Sequence, residues 1–373
     1  MEHQQAQELA AAAELATRQG AHEKARSLYE KAARFELSAL RDLPPSKPRS
    51  LGILSVSYAS LLFKAELYDQ AELAIYGLLS DATIPAPFRD QLRELLQVTW
   101  EERLLLQDKM KYTGAEILVA LRGGRIGMGT APADTAVHYL NGFNLLAYRA
   151  AEYDAGLPLR KHGPPSKEIQ TAFQARATQP AVGSYKFSIK LLEPAQATLF
   201  PETSPAIRPD PWRVSRIVAE VLRSVTNSDQ GALERAVSAG DYRLALARLA
   251  RNIVPAGESL SEVEIRLAGD GPLDAIRLIP AARRNVNETI RLLKPSAEQS
   301  SGEETITGTL RAVHLDQSWI RIVPDQGAPV RIRTNPDELD DVIGPMVNHK
   351  VIARIVRTDS KRARLIDVEL QED

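Results

Sequence analysis

The chain contains no cysteine among its 373 residues, which excludes disulfide bonds, thiolate nucleophiles and cysteine-ligated zinc. It also lacks any run of about 18 apolar residues that could span a membrane. The first residues have neither the basic nor the apolar segment of a secretory signal. Together these absences predict a cytoplasmic protein that does not cross a membrane.

A large excess of charge of either sign is also missing. The net charge of −1 excludes the strongly basic composition of a dedicated nucleic-acid-binding chain. The distribution is uneven, because residues 107–192 hold 11 Lys and Arg against 6 Asp and Glu, whereas residues 303–373 hold 10 against 13. Only the central segment is therefore expected to attract phosphate groups through its overall charge.

The front of the chain, residues 1–107, is rich in good helix formers and is predicted to be helical. Small and aromatic residues recur there at fixed offsets, at Ala13, Gly20, His22, Ala25, Tyr29 and Ala32 and again at Ala59, Glu66, Tyr68, Ala71, Ile75 and Leu78. This spacing resembles the tetratricopeptide repeat, in which small residues let two antiparallel helices pack closely. The resemblance implies a protein-binding surface on stacked helices. The alternative is a helical bundle that binds nothing.

The repeat-like pattern departs from the family in three ways. His22 stands where an aromatic residue is usual. Glu66 stands where a glycine would be expected at the end of a helix. Ala25 and Ala71 are 46 residues apart (71 minus 25) rather than about 34, because the proline-rich segment 41–50 cannot be helix interior. A third unit with the same Gly-x-Tyr-x-x-Ala spacing occurs far downstream, at residues 240–245.

Residues 108–295 are predicted to form a central α/β domain. Its expected strands are 115–121, a hairpin return at 126–129, and 183–191, with later strands at 261–267 and 274–279 joining the same sheet. A helix is predicted over residues 133–153, and further helices at 167 and 212 should begin after the capping residues Ser166 and Asp210. Trp100, just before this domain, is interpreted as a core residue, and the charges Arg149, Glu152 and Asp154 as a solvated cluster.

The central domain also contains a candidate anion site. Backbone N–H groups of a glycine-rich turn near a helix start, together with nearby cations, are a chemistry that binds phosphate. No Gly-Lys-Ser/Thr follows the turn and the dinucleotide fingerprint is incomplete, so a tight hairpin and an ordinary helix cap explain the same glycines. His162 lies among cations, which are expected to favour its neutral form near pH 7 and to let it act as an acid or base. The candidate residues are Arg122, Arg125, Gly127, Gly129, Arg160, Lys161 and His162.

The last segment, residues 303–373, carries the clearest strand pattern. Five strands are predicted, at 305–314, 318–323, 329–333, 349–356 and 363–369, with a short acidic helix at 336–342 between the third and the fourth. This order of elements resembles the oligonucleotide/oligosaccharide-binding (OB) fold, and an SH3-like barrel is the alternative. The linker-like residues 295–304 separate this module from the central domain.

Alternation along the second and third barrel strands places Trp319, Arg321, Arg331 and Arg333 on one outer face. The OB resemblance implies that such a face binds single-stranded nucleic acid through stacking and cations. The alternatives are that the arginines contact another protein or pair with the acids of the predicted 336–342 helix, Asp337, Glu338, Asp340 and Asp341.

The predicted fold class is therefore a multidomain α+β protein, with repeat-like helical hairpins, a central α/β domain and a five-stranded barrel. The predicted function is a non-catalytic adaptor that binds a protein partner through residues 1–107 and nucleic acid or a second protein through the barrel and the basic centre. The alternative is an enzyme or sensor that binds a phosphate-bearing ligand at the glycine-rich turn. No catalytic residue, metal site or cofactor is predicted, and self-association stays open.

Overall fold

The computed structural model describes residues 2–44, 46–127, 129–160, 163–178, 185–195, 207–255, 260–269, 274–293, 303–325, 327–334, 339, 343–359 and 362–371. The chain divides into two compact units, Met1–Met110 and Lys111–Asp373. Helices and a closed barrel of five strands confirm the predicted mixed α+β class in outline. Within the described ranges, no helix has both the length and the apolar character needed to cross a membrane.

The described part of the first unit is built from helices. The alanines of the repeat-like pattern are buried, with Ala13, Ala32, Ala59 and Ala71 all fully inaccessible. Glu66 has a φ of +60°, the left-handed conformation that glycine adopts more easily at helix ends. The helices are α1 (Glu2–Arg18), α2 (His22–Arg41), α3 (Pro48–Lys64), α4 (Tyr68–Ser80) and α5 (Ala86–Gln107).

Trp100 corrects one prediction, because its side chain is 38% exposed and not part of the core. Its Nε1 donates to the Glu72 carboxylate of α4 at 2.8 Å, and its ring lies 6.5 Å from that of Tyr76. The neighbouring residues Leu92 and Leu96 of α5 are buried and form the core face of this helix. Trp100 lies at the margin of that face, where its polar N–H reaches a partner.

The second unit contains a five-stranded sheet in the order β2-β3-β1-β4-β5. One face of the sheet is apolar and packs under helices, because Ile117, Val119 and Leu121 alternate with residues that point away. The later strands join the sheet as predicted. The strands are β1 (Met110–Arg122), β2 (Gln174–Ala177), β3 (Tyr185–Pro194), β4 (Glu262–Leu267) and β5 (Ile276–Leu278).

Two helices of this unit begin after the capping residues that the sequence predicts. Ser166 accepts a hydrogen bond from the Ile169 backbone N–H at 3.3 Å, and Asp210 accepts from the backbone of Trp212 at 2.8 Å. Both predicted caps are confirmed. The helices are α6 (Ala133–Asp154), α7 (Lys167–Ala172), α8 (Pro211–Asn227), α9 (Gln230–Ala236), α10 (Gly240–Ile253) and α11 (Ala282–Leu293).

The predicted return strand at residues 126–129 is wrong. After β1 ends at Arg122, the chain makes a turn in which Gly123 and Gly124 have positive φ values, and only Gly127 and Thr130 form an isolated bridge. β1 pairs instead with β4, which lies about 140 residues further along the chain. The residues of the turn indicated a local hairpin, but the backbone groups along this edge of β1 pair with a strand that is distant in sequence.

The barrel closes in the order β10-β8-β7-β6-β9, with β8 and β10 parallel and the other described pairs antiparallel. Ile320, Ile322 and Ile332 are fully buried inside it. A short 3-10 helix, Gly344–Met346, precedes β9, and most of the predicted helix at 336–342 lies outside the described residues. The strands are β6 (Glu303–His314), β7 (Trp319–Pro324), β8 (Val330–Arg333), β9 (Lys350–Asp359) and β10 (Arg362–Leu370).

A buried ion pair joins the barrel to the helices of the second unit. Arg251 of α10 is 1% exposed, and its Nη1 lies 2.8 and 3.0 Å from the carboxylate oxygens of Asp367 in β10. Its Nη2 donates to the Val368 carbonyl at 2.7 Å, while Arg354 of β9 donates to the same carboxylate at 2.7 Å. The predicted boundary between the central domain and the barrel, at residues 295–303, falls almost wholly outside the described residues and stays a prediction.

Candidate nucleic-acid interface

The outer face of β7 and β8 carries the predicted aromatic and basic residues. These strands are antiparallel, and Trp319 lies opposite Arg333 while Arg321 lies opposite Arg331. Side chains directly opposite on one face of a sheet have Cβ atoms about 5 Å apart. The intervening pair, Ile320 and Ile332, points into the barrel core. The alternation therefore gathers the four predicted residues on one small surface, which is called the barrel face below.

Trp319 is held in a defined position on the barrel face. The guanidinium carbon of Arg331 lies 4.2 Å from the centre of the indole ring, within the range of a cation–π contact. The Gln317 side-chain oxygen accepts hydrogen bonds from Trp319 Nε1 at 3.2 Å and from Arg331 Nη2 at 3.1 Å. The His314 ring lies 5.3 Å from the indole on the β6 side. The indole is thus oriented before any ligand arrives.

The barrel face is electropositive although the barrel segment as a whole is acidic. Arg321, Arg331 and Arg333 are exposed, and none of the described carboxylates forms an ion pair with them. Elsewhere on the barrel, Arg357 is paired with Glu304 at 2.5 Å. Arg364 of β10 lies in register with Arg333 and is also exposed. The four acids proposed as partners for these arginines lie outside the described residues.

Sequence patterns alone did not single out Gln317, His314 or Arg364. Gln317 and His314 flank the short turn between β6 and β7, where the position of a side chain depends on the turn geometry. Arg364 reaches Arg333 only because β10 pairs with β8 in parallel, over a separation of about 30 residues. The alternation of side chains along β6 was the one sequence signal that could have identified His314, because it places His314 on the same side of the sheet as its partner Trp319.

The predicted anion-site residues separate into two groups. Arg125, Gly127 and Gly129 lie before the start of α6, whereas Arg160 follows its end. α6 has 22 residues, and at 1.5 Å per residue it is about 33 Å long. One ligand of nucleotide size cannot contact both groups. Lys161 and His162, the remaining members of the second group, lie outside the described residues.

Two of the predicted anion-binding arginines already have carboxylate partners. Arg122 Nη2 lies 2.8 Å from a Glu264 oxygen on β4, and Arg160 Nε lies 2.7 Å from a Glu152 oxygen on α6. Arg149 is 3.1 Å from the other Glu152 oxygen. Arg149 and Glu152 are buried rather than solvated, which corrects the predicted surface cluster. Burial, and then the charge of Glu152, raise the pKa of the neighbouring Tyr242.

The glycine-rich turn uses its glycines for its own geometry. The Gly127 N–H donates to the Thr130 carbonyl at 3.0 Å, so it does not point at a ligand. A Cβ on Gly127 would lie 2.6 Å from Thr130 Oγ1, and Gly129 has a φ of +71°. These contacts favour the hairpin-like alternative, while an anion site at Arg125 stays a prediction.

Polar side chains on the second face of the central sheet contact one another across neighbouring strands. Ser188 of β3 donates to Glu116 of β1, and Tyr112 donates to the same carboxylate at 2.9 Å. Burial, and then the hydrogen bond with Glu116, raise the pKa of Tyr112. Among the residues that the structure describes, no group of three or more His, Asp or Glu side chains is arranged to hold a metal ion.

Comparisons with known proteins add no family assignment, because no protein-family model, no curated protein and no solved structure matches the chain. Its function therefore has to be inferred from the geometry of the barrel face and of the helical unit.

Proposed function

We propose that this protein is a non-catalytic adaptor whose barrel face binds single-stranded nucleic acid and whose helical unit binds a protein partner. Nucleic-acid binding is supported mainly by the contact between Trp319 and Arg331. Gln317 holds both side chains in place by hydrogen bonds, and exposed arginines surround them on the barrel face. An indole offers a stacking surface to any base, and guanidinium groups attract the phosphates. The barrel face should therefore bind single strands with little preference for their base sequence.

The strand order supports an OB-like barrel over an SH3-like one. Counting the barrel strands from one to five along the chain, neighbours run 1-2-3-5-4 and close on 1, with the third and fifth strands parallel. That arrangement is typical of the OB fold, and the face of its second and third strands is a frequent binding surface for single strands. Trp319 and the three exposed arginines lie on the corresponding strands, β7 and β8.

The experiment is binding of a fluorescent single-stranded oligonucleotide by the intact chain, followed by anisotropy over a series of salt concentrations. Each phosphate contact contributes about 0.7 to the slope of log K against log salt for a single strand. We expect Arg321→Ala/Arg333→Ala to lower the slope by about 1.4. Arg277→Ala/Arg291→Ala, which removes two exposed arginines outside the barrel, is the matched control and should leave the slope unchanged.

Stacking is tested separately at Trp319. Trp319→Ala should weaken binding by about 1–3 kcal/mol if one base stacks on the indole, and Trp319→Phe should recover part of the loss. Equal affinity of the wild type and Trp319→Ala would remove stacking from the proposal. No measurable binding of either strand type, DNA or RNA, by the wild type would refute the nucleic-acid half altogether.

The second half rests on exposed apolar side chains of α4 and α5. Leu73 is 73% exposed, and Tyr76, Trp100 and Leu104 are between 38% and 48% exposed. Large apolar groups that cluster on a surface are typical of protein-binding sites. The repeat-like helices supply the scaffold that such a surface needs. This observation supports a protein partner for residues 1–107.

A pull-down from the native lysate after nuclease treatment tests this half. Leu73→Asp should reduce the recovery of nuclease-resistant partners, because a carboxylate in the apolar cluster would be buried by the partner at high cost. Leu15→Asp is the control, since Leu15 is 57% exposed on α1, away from this cluster. Equal loss of partners with both variants would indicate a general effect of charge.

A further inference from the structure

A groove of about 600 Å³ lies within the second unit, between the barrel and the start of α6. Arg125 of the glycine-rich turn lines one side, and Asn348, His349 and Lys350 at the start of β9 line the other. Arg125 and Lys350 are both exposed in the groove. Among the lining residues that the structure describes, Asp134 is the one carboxylate, and it accepts a hydrogen bond from the Thr135 N–H at 2.7 Å. The described wall thus combines charged and polar groups with apolar side chains such as Val137, Leu145 and Leu249, and its two cations outnumber its one carboxylate.

Arg311 connects this groove to the barrel face. It is the extra residue of an irregularity in β6, between the pairs Leu310–Ile322 and Ala312–Arg321, and it is exposed. Its Nη1 donates to the side-chain oxygen of Asn348 at 3.3 Å, so it contacts the wall of the groove. On β7, the next strand, Arg321 pairs with the residue that follows Arg311. Arg311 therefore lies between the groove and the arginines of the barrel face.

The strand order makes the cations a continuous series. β9, β6, β7 and β8 are consecutive neighbours in the barrel, and they carry Lys350, Arg311, Arg321 and Arg331 respectively. Neighbouring strands are about 4.8 Å apart, so the three steps cover roughly 14 Å across the strands, and Lys350, the last residue of the series, lines the groove. Lys350 has one distant carboxylate neighbour, Asp325 at 3.8 Å, which leaves it able to turn toward a ligand.

We infer that a bound single strand crosses the barrel face from β8 to β9 and continues into the groove, where Arg125 and Lys350 hold its phosphates. This inference rests on the proposed nucleic-acid function and extends its site beyond the barrel. Amide side chains of Asn141, Asn252 and Gln371 line the groove and offer both donors and acceptors to base edges. The barrel face stacks a base, and the groove contacts the backbone and base edges of the following nucleotides.

The test compares short and long oligonucleotides on the intact chain. Lengths of about 4 and about 12 nucleotides both lie within the range of about 4–16 nucleotides that small barrels of this kind occupy. We expect the slope of log K against log salt to be steeper for the long strand by about 1.4, for two additional phosphate contacts. Arg125→Ala/Lys350→Ala should abolish that difference and leave binding of the short strand unchanged.

Controls separate the possible failures. Lys167→Ala/Arg277→Ala removes the same two charges elsewhere and should preserve the length dependence. If the short strand binds but Arg125→Ala/Lys350→Ala leaves the length dependence intact, the extension into the groove is refuted and the barrel site stands. If the variant weakens short and long strands equally, the extension is also refuted. If no oligonucleotide binds the wild type, the proposed function fails together with the extension.

A second measurement does not depend on these variants. An oligonucleotide of about 12 nucleotides with a photoreactive group at either end is cross-linked to the wild type, and the modified peptides are identified by mass spectrometry. Cross-links from one end should map to α6 or to the turn at residues 123–127, and those from the other end to β7 or β8. Cross-links confined to the barrel at both ends would contradict the inference.

Discussion

The buried pair of Arg251 and Asp367 predicts an unusual stability pattern. Removing one partner of a buried ion pair costs about 3–5 kcal/mol, because the remaining charge stays buried without compensation. Asp367→Asn should fall within this range, since Arg251 is 1% exposed and cannot reach water. Arg251→Met should lie near the lower end, because Arg354 still pairs with Asp367 at 2.7 Å.

The double variant Arg251→Met/Asp367→Leu is expected to lose less stability than either single variant. Replacing a buried pair by apolar residues of similar volume is often neutral or stabilising, as both desolvation costs vanish together. Urea unfolding is the assay, with Trp212 reporting the central helices and Trp319 the barrel. If the slope of the unfolding free energy is about 3 kcal/mol per molar urea, the single variants move the midpoint down by about 1–1.7 M.

The contrast with an exposed pair serves as the control. Arg357 and Glu304 are both more than 40% exposed, so Arg357→Met should leave the midpoint unchanged within error. Additive losses in the double variant, or single variants that behave like Arg357→Met, would refute the reasoning. Separate transitions for Trp212 and Trp319 in the single variants would show that the pair couples the barrel to the helices.

Three further predictions concern backbone strain, packing and ionisation. Glu66→Gly should raise the stability of the first unit by about 0.5–1 kcal/mol in thermal unfolding, because glycine adopts the positive φ at this position without the strain that glutamate bears. A decrease in stability would mean that the 3.0 Å ion pair between Glu66 and Arg26 outweighs the strain. Gly308→Ala should destabilise the barrel by about 1–3 kcal/mol, because the added Cβ would lie 2.4 Å from the Val323 carbonyl oxygen. Gly77→Ala is the control and should not destabilise the chain, because the space around Gly77 is open. Burial, and then the charges of Glu102 and Glu66, raise the pKa of Tyr68 to about 12, so its contribution to stability is complete below pH 10 and is lost between pH 10 and 12. Tyrosinate absorbance should show this delayed ionisation relative to the unfolded chain, and its absence would argue against the burial of Tyr68.

Local patterns explain why much of the fold could be predicted. The alternation around Ile320 and Ile322 requires only a period of two, and the caps at Ser166 and Asp210 act within three residues. Glu66 was identified as a departure from a repeat-like helix end, and its backbone has the conformation that glycine would favour there. These features depend only on residues close together in the chain, so the local sequence is enough to predict them.

The features that could not be predicted depend on partners far away in the chain. Arg149 and Glu152 looked like solvated charges, because nothing nearby in sequence shows that Tyr242 and Arg160 would enclose them. The pairing of β1 with β4 overrode a local hairpin signal at the glycine-rich turn. For the candidate site, alternation placed the arginines on one face, but Gln317 could be identified only from the turn that brings it to Trp319.

The same long separation has a consequence for how the protein is made. Arg251 and Asp367 are 116 residues apart, and at about 5–20 residues per second a ribosome needs roughly 6–23 s to add the intervening chain. During this interval the guanidinium of α10 has no carboxylate from β10, so it must stay hydrated and the helices around it cannot complete their packing. Nascent chains of the second unit should therefore remain sensitive to proteases until β10 has emerged. β10 is synthesised after these helices, so its emergence controls when the packing around Arg251 is complete.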